Sequence, residues 1–321
     1  MEKFTLSRFS FVLKADSDLQ LPVYKGSTLR GGFGHAFRRA CCTVRKKNCA
    51  DCIFKNQCAY SWVFETPVPD GAEMLRKYTS APHPFVLEPP DEERRTYQPG
   101  DTLSFRLVLI GRATDYLPYF IYSFHQLGKI GIGKDRGKFE IEQVIQEDIP
   151  ARESLKGRVV FESGEKTLFA TTPPKAWKEI VESDVPARIR IRFLTPTRIK
   201  YKGHLIKDLE FHVLFRSMLR RISLLSYFHC SQRLDDSRFR QLIDRAREIT
   251  IQDQALHWYD WNRWSNRQGT RMKMGGFMGE ITYEGDFEPF WPYIRLGEYV
   301  HVGKGSSFGL GRYEVVNEKR S

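Results

Sequence analysis

Near its C-terminal end the chain reads Leu296-Gly-Glu-Tyr-Val-His-Val-Gly-Lys-Gly-Ser-Ser-Phe-Gly-Leu-Gly-Arg-Tyr-Glu-Val315, with four glycines within nine residues. Glycine adopts positive φ at little cost and lets another backbone approach closely. Backbone amides and two flanking cations in such a loop can face phosphate oxygens, so we predict that it binds nucleic acid. The predicted contacts are Gly303, Lys304, Gly305, Gly309, Gly311 and Arg312. The alternative is a connection that needs glycine only for turning.

The same pattern occurs earlier in the chain at a constant offset of 174 positions. Gly111 and Gly137 fall on Gly285 and Gly311. Within that frame, Leu117-Pro-Tyr-Phe120 falls on Trp291-Pro-Tyr-Ile294, and Gly137-Lys-Phe-Glu-Ile141 falls on Gly311-Arg-Tyr-Glu-Val315. Such agreement indicates an internal duplication. Each half reads strand, helix, strand, helix, glycine loop, strand, which predicts an α+β fold of two tandem ferredoxin-like (RRM-like) βαββαβ domains.

The two halves divide at a polar stretch that contains Pro173-Pro174. We predict an N-terminal domain over residues 1–170, a linker over 171–185 and a C-terminal domain with the glycine-rich loop over 186–321, because adjacent prolines mark breaks between elements. A cysteine-rich segment at 42–58 is predicted to be a metal-binding insertion in the first domain.

Size and charge narrow the class of protein. The chain has 321 residues, a formal net charge of +12 and a pI of about 9.4. Its length fits about two domains, and its charge favours a polyanionic partner, most often nucleic acid. No apolar stretch reaches the roughly 18 residues of a spanning helix, and no apolar secretory segment follows Met1. We therefore expect a cytoplasmic protein without a membrane partner.

The cysteine-rich segment has the spacing Cys42-x6-Cys49-x2-Cys52-x5-Cys58. Four thiolates at such spacings fit tetrahedral zinc, and a closed four-thiolate site leaves no position for a reacting water. We therefore predict a structural zinc and no catalytic metal. An iron–sulfur cluster uses the same ligands and stays an alternative. Cys41 competes with Cys42 as a ligand.

A helix is predicted to begin with Ser27 or Thr28 as its N-cap, because apolar residues then recur at helical spacing. His35, Arg38 and Arg39 share the opposite face at i, i+3 and i+4. A neutral imidazole beside phosphate-binding cations can take the proton from a 2′-hydroxyl, which then attacks the adjacent phosphate.

We therefore predict His35 as the catalytic base, with Arg38 and Tyr24 stabilising the developing charge. Arg39 is predicted to bind RNA. The alternative is a surface histidine on an RNA-contacting helix. Glycines at 31, 32 and 34 in the same helix predict that another group approaches this face closely.

Arg188, Arg190 and Arg192 alternate with apolar residues along a predicted strand of the second half. They therefore share one face, which we interpret as a platform for an RNA backbone. An ordinary solvated face mixes both signs of charge, and this run of the sequence carries only one.

Several segments together resemble a known family. They are Gly303-Lys-Gly-Ser-Ser-Phe-Gly-Leu-Gly-Arg-Tyr313, Met274-Gly-Gly-Phe-Met-Gly-Glu280, Phe193-Leu-Thr-Pro196 with the helix over 211–225, the aromatic segment 258–268, and the opening Leu29-Arg-Gly-Gly-Phe-Gly-His35 with its cysteine cluster. The chain resembles the CRISPR repeat-processing (pre-crRNA) endoribonucleases of the RAMP superfamily.

The resemblance implies a prokaryotic enzyme that binds CRISPR repeat RNA and cuts the precursor once per repeat without a catalytic metal. It implies attack by the 2′-hydroxyl, giving 2′,3′-cyclic phosphate and 5′-hydroxyl ends, with a first-helix histidine as base. His35 matches that position. Two alternatives stay open: a non-catalytic crRNA-binding RAMP subunit of a CRISPR effector complex, and a catalytic metal at the cysteines.

Overall fold

The structure is a computed structural model, described over residues 2–44, 48–149, 156–165, 167–181, 185–201, 204–205, 209–265 and 270–316. The chain forms two compact units. The first unit is Lys3–Ala176 with Phe228–Ser231, and the second is Met1–Glu2, Trp177–Tyr227 and Gln232–Ser321. The division after residue 176 falls inside the stretch 171–185 predicted as a linker. Within the described ranges, no helix has the length and apolar character needed to cross a membrane.

The first unit contains two long helices and a six-stranded sheet. Its elements are β1 (Thr5–Ala15), β2 (Leu19–Gln20), α1 (Gly26–Cys41), a π-helical turn (Ser61–Glu65), β3 (Phe85–Glu88), β4 (Thr96–Tyr97), β5 (Thr102–Ile110), a 3-10 turn (Gly111–Tyr116), α2 (Leu117–Ile130), β6 (Phe139–Glu147), β7 (Gly157–Glu162) and β8 (Lys175–Ala176).

The main sheet runs β3-β5-β1-β6-β7, with β8 also paired to β1, and every pair is antiparallel. One face of β1 enters the core through Phe9, Phe11 and Leu13, as strand alternation requires. Phe33 of α1 stacks on Phe120 of α2 with ring centroids 4.6 Å apart. Helices α1 and α2 therefore cover one face of the sheet around an aromatic core.

The second unit repeats the plan with extra strands. Its elements are α3 (Trp177–Ile180), β9 (Arg188–Thr197), β10 (Lys200–Tyr201), β11 (His204–Leu205), α4 (Phe211–His229), α5 (Asp236–Arg245), β12 (Thr250–Tyr259), β13 (Asn262–Ser265), β14 (Thr270–Lys273), β15 (Gly276–Glu284), α6 (Trp291–Val300), a 3-10 turn (Ser306–Phe308) and β16 (Tyr313–Val316). Its main sheet is antiparallel in the order β12-β15-β9-β16.

The duplication read from the sequence reappears in the element bounds. Helices α2 and α6 begin 174 positions apart, each with proline near its start, and so do β6 and β16. The spacing survives although α6 ends a turn earlier in that frame, because the glycine-rich loop after it is correspondingly longer. In both sheets the first strand of the plan lies between the third and the fourth.

Gly297 lies in the middle of α6, where glycine normally weakens a helix. A Cβ at this position would lie 2.0 Å from the hydroxyl of Tyr313. That hydroxyl donates to the carbonyl of Ile294 at 2.6 Å, and the Tyr313 side chain is buried. The glycine is therefore required for packing the last strand against α6.

Candidate nucleic-acid interface

The exposed face of α1 carries the predicted catalytic histidine. His35 and Arg39 are exposed, and Arg38 is half-buried with its guanidinium 5.8 Å from the centre of the Tyr60 ring. One turn before His35, a Cβ placed on Gly31 would meet no atom within 4 Å. Helix α1 contains no Asp or Glu. The imidazole thus lies on open, positively charged surface where a polyanion can approach.

The other two glycines of α1 have a different explanation. A Cβ on Gly32 would lie 2.8 Å from a methyl of Leu127, and one on Gly34 would lie 2.1 Å from the Phe64 ring. These glycines allow α2 and the π-helical turn to pack closely on α1. The predicted close approach of another group is confirmed at these two positions, where the group is a side chain of the same unit, and Gly31 alone among the three faces open space.

The start of α1 also differs from the prediction. The helix begins at Gly26 after Lys25, which provides no side-chain cap, so the N-cap at Ser27 or Thr28 is wrong. Tyr24 is half-buried just before this start. A helical rise of 1.5 Å per residue separates Gly26 from His35 by about 13 Å. The role of Tyr24 beside His35 stays a prediction.

A second histidine close to α1 was missed because the stretch from Glu65 to Pro99 reads as irregular. His83 Nε2 lies 2.8 Å from Arg30 Nη2, and its Nδ1 lies 2.8 Å from Thr66 Oγ1. The Thr66 hydroxyl donates to the Val63 carbonyl, so it accepts from Nδ1–H. Both ring nitrogens of His83 are thereby used, which makes it a structural residue. The positive φ of Thr66 (48°) is a feature that no local sequence signal announces.

The glycine-rich loop uses much of its backbone internally. The amides of Lys304 and Gly311 donate to the carbonyls of Arg198 and Pro196 at 2.9 and 3.2 Å, and Gly309 donates to Ser306 at 2.9 Å. The four glycines all have φ between 72° and 85°. The prediction that successive loop amides face phosphate is therefore wrong for Lys304, Gly309 and Gly311. Their glycines set the loop's shape.

Cationic side chains gather on this loop. Burial first, and then the charges of Lys200 and Arg198, hold the pKa of Lys304 below its usual range. We call Arg198, Lys200 and Lys304 the loop cluster. Lys304 and Lys200 are exposed, while Arg198 and Arg312 are half-buried. The sequence analysis did not predict a role for Arg198 and Lys200. The available signal was the cationic run Arg198-Ile-Lys200. This run lies far from the loop in sequence, but the Arg198 carbonyl accepts from the Lys304 amide.

The three arginines of β9 do not form a platform of one charge. Arg188 pairs with Glu284 at 2.8 Å, and Arg190 lies 3.9 Å from Glu280. Arg192 bonds Glu280 at 2.6 Å and Glu314 at 3.1 Å, and these hydrogen bonds raise its pKa. The interpretation of an unneutralised cationic face is wrong, because β15 and β16 place carboxylates opposite each arginine.

The five cysteines of residues 41–58 are all free and partly buried. Cys41, Cys49 and Cys58 pack against the same hydrophobic core. The amide of Cys52 donates to the Cys49 carbonyl at 3.2 Å, which closes a tight turn. Over the described ranges, however, no three His, Cys, Asp or Glu side chains are arranged to hold a metal ion. A metal role for Cys42, Cys49, Cys52 and Cys58 stays a prediction.

Two family models match the chain in succession. A model named AF_1859_N, described as an N-terminal domain, matches residues 4–173, and the CRISPR-associated endoribonuclease Cas6 matches residues 191–313. The chain therefore belongs to the AF_1859_N family over its N-terminal part and carries a Cas6 endoribonuclease domain over residues 191–313. The family prediction made from the motifs is thereby confirmed, as is the prediction of an RNA-cleaving enzyme.

Individual relatives are distant in sequence. An uncharacterized protein of Archaeoglobus fulgidus is 24% identical over 304 residues, covering 92% of each chain. Among solved structures, a product complex of Cas6 (TTHB231) has a TM-score of 0.60 at 14% identity, covering 97% of this chain and 99% of its own. A product complex of Cas6 (TTHA0078) has a TM-score of 0.53 at 16% identity, covering 98% and 100%. These likenesses establish the shared α+β, antiparallel Cas6 fold.

Proposed function

We propose that this Cas6 chain is a metal-independent endoribonuclease that binds CRISPR repeat RNA and cuts the precursor transcript once per repeat. The observation that carries the proposal is the exposed imidazole of His35 on an acid-free helix face, beside the open surface at Gly31. A base that must reach a substrate proton needs such access. The solved relatives captured as product complexes support a role in processing.

The reaction follows from the groups on α1. His35 takes the proton of a ribose 2′-hydroxyl, whose oxygen attacks the adjacent phosphate. The P–O5′ bond breaks, leaving a 2′,3′-cyclic phosphate and a 5′-hydroxyl, which takes up a proton. Arg38 stabilises the charge that develops on the phosphate, because it follows His35 by one turn. Tyr24, just before the start of α1, is proposed to stabilise the same charge with its hydroxyl.

RNA binding is proposed to involve both units separately. In the first unit Arg39 holds a phosphate next to His35. In the second, the loop cluster and Arg312 provide the charge, and the glycines of residues 303–311 shape the surface that carries it. The β9 arginines are not part of the proposed RNA-binding surface, because glutamates already neutralise them. We also infer that both units are tandem ferredoxin-like modules, on the support of their strand orders. The enzyme would act in the prokaryotic cytoplasm, alone or with a CRISPR effector complex.

Incubation with the CRISPR repeat RNA of the same genome tests the reaction. With excess EDTA present, we expect one cut per repeat, a 5′-hydroxyl on the downstream product and a cyclic phosphate on the upstream product, because an imidazole can start the reaction without a metal. Mass spectrometry of both products identifies the ends. A 3′-hydroxyl with a 5′-phosphate, or cleavage that stops on chelation while the protein stays folded, would contradict the proposed mechanism.

We further propose that thiols of residues 41–58 hold a structural zinc. The support is that three of the five cysteines pack against the same hydrophobic core, and Cys49 and Cys52 share a tight turn. Their thiolates would supply four sulfur ligands, with Cys42 or Cys41 completing the set. The zinc would hold a loop that is otherwise polar, and no reaction step involves it. An iron–sulfur cluster is the other occupant that these ligands suit.

Metal content measures this proposal directly. We expect about one zinc per purified chain, and its loss on replacing Cys49 or Cys58 by serine. Comparing Cys41→Ser with Cys42→Ser decides which of the two is the ligand, since only one substitution should release the metal. A lower melting temperature should accompany that release, because a structural metal contributes to folding. Purified protein without zinc or iron, or retention of zinc in the Cys49→Ser and Cys58→Ser variants, would overturn the proposal.

A further inference from the structure

The exposed side of α2 carries an aromatic and cationic stripe that the proposed reaction does not use. Tyr119 and Tyr122 are 45% and 52% exposed, which is unusual for large hydrophobic side chains in the part of the chain that the structure describes. His125 and Lys129 are also exposed and continue the same face at helical spacing. We propose that this stripe binds a single-stranded segment of the RNA, with bases stacked on Tyr119 and Tyr122 and a phosphate on Lys129. The inference rests on the proposed function.

The stripe lies beside the His35 face of α1. The two helices pack so closely that a Cβ on Gly32 would lie 2.8 Å from Leu127. The ring of Phe37 lies 6.4 Å from that of Tyr119. Helices α1 and α2 cover the same face of one sheet, so their exposed sides form one continuous surface of the first unit. An RNA strand bound at His35 can continue across α2 without leaving that surface.

The charge of this surface selects a polyanion. Helices α1 and α2 contain no Asp or Glu in 30 residues, whereas they carry Arg30, Arg38, Arg39 and Lys129. Burial first, and then the charge of Lys129, lowers the pKa of His125 and favours its neutral form. Positive charge on two helices that carry no carboxylates of their own attracts nucleic acid. A protein partner would need no such exclusion of acidic residues.

Tyr119 is held in place by other rings. Besides Phe37, it lies 5.9 Å from Tyr116, which stacks on Trp62 at 5.1 Å. The guanidinium of Arg112 lies 5.1 Å from the centre of the Trp62 ring. A ring fixed by such contacts loses little freedom when a base stacks on it. Alternating aromatic and cationic groups are the arrangement by which proteins hold single strands with little sequence preference.

The experiment compares RNA affinities of full-length variants by fluorescence anisotropy, with a labelled single-stranded RNA of the repeat sequence. We expect the double variant Tyr119→Ala/Tyr122→Ala to bind about 10- to 100-fold more weakly, because each stacked base contributes substantially to affinity. The variant Tyr119→Phe/Tyr122→Phe should bind within about two-fold of the original, since stacking needs the ring and not the hydroxyl. Tyr78→Ala is the matched control, because Tyr78 is also exposed (59%) but belongs to neither α1 nor α2.

The outcomes separate this inference from the proposed function. Unchanged RNA affinity in the folded double alanine variant would overturn the stacking surface, whether or not the enzyme cleaves, and would then favour a protein as occupant. An equal loss in the phenylalanine variant would also overturn it, because the hydroxyls would then be responsible. If the original protein binds RNA through these tyrosines but yields no cut in the product assay, the cleavage proposal fails and the surface stands.

Discussion

Replacing His35 by alanine is expected to slow RNA cleavage by about 100- to 10,000-fold, the usual contribution of a positioned general base. The imidazole is exposed on α1, so its removal leaves no cavity and should not change the melting temperature. RNA affinity should change by less than about two-fold, because Arg39 and the loop cluster hold the phosphates. Single-turnover rates at saturating RNA, measured beside binding and thermal unfolding, separate these three effects.

His257 offers a matched control for this experiment, since it is exposed on strand β12 of the second unit. His257→Ala should cleave at the original rate. Undiminished cleavage by His35→Ala would show that another residue is the base. Absence of cleavage in the unaltered protein, with RNA binding retained, would instead favour the alternative of a non-catalytic crRNA-binding subunit.

The fold could be predicted from the sequence because both halves place the same types of residue at matching positions of their helices and strands. Helix α2 follows Gly111 as α6 follows Gly285, and each helix carries proline in its first turn, where a missing amide costs nothing. The buried face of β9 was likewise predicted, since Ile189, Ile191 and Phe193 alternate with polar residues. The alternation of buried and exposed side chains along one strand depends only on residues close in sequence, so the sequence alone predicts it.

The neutralisation of the arginines on β9 could not be predicted from the sequence in the same way. Alternation places Arg188, Arg190 and Arg192 on one face, but the partners that neutralise them come from β15 and β16. Glu280 follows Arg192 by 88 positions, and Glu314 follows it by 122. Strand register sets those pairs, and no local pattern encodes register between distant strands. The loop cluster was missed for the same reason.

For the glycine-rich loop, the backbone conformation could likewise be predicted from the sequence, whereas the hydrogen-bond partners of its amides could not. A glycine-rich run predicts unusual backbone geometry, and the positive φ values of residues 303–311 agree. Where the amides of such a loop point depends on its neighbours. Here Pro196 and Arg198 accept from Gly311 and Lys304, so the loop is anchored to the end of β9. A short glycine motif therefore indicates shape more safely than it indicates ligand contacts.

Gly311→Ala is expected to destabilise the second unit by roughly 2–4 kcal/mol. The residue has φ of 72°, and an added Cβ would lie 1.8 Å from the carbonyl oxygen of Val302. Positive φ alone costs a non-glycine residue about 1 kcal/mol or more, and overpacking adds about 1–3 kcal/mol. Because the amide of Val302 also bonds the Gly311 carbonyl at 3.0 Å, the strained contact cannot relax without breaking that bond. Urea unfolding monitored by tryptophan fluorescence measures the loss.

Gly31→Ala is the control with the opposite sign. Gly31 lies inside α1 with open space around its Cα, so alanine there should stabilise the helix by about 1 kcal/mol. If both substitutions destabilised the protein alike, the contact of the added Cβ with Val302 would not be the specific cause of the loss. If Gly311→Ala left the urea midpoint unchanged, the contact with Val302 would not exist in solution. The loop would then be free to turn its amides outward, and the shape role assigned to its glycines would give way to direct RNA contact.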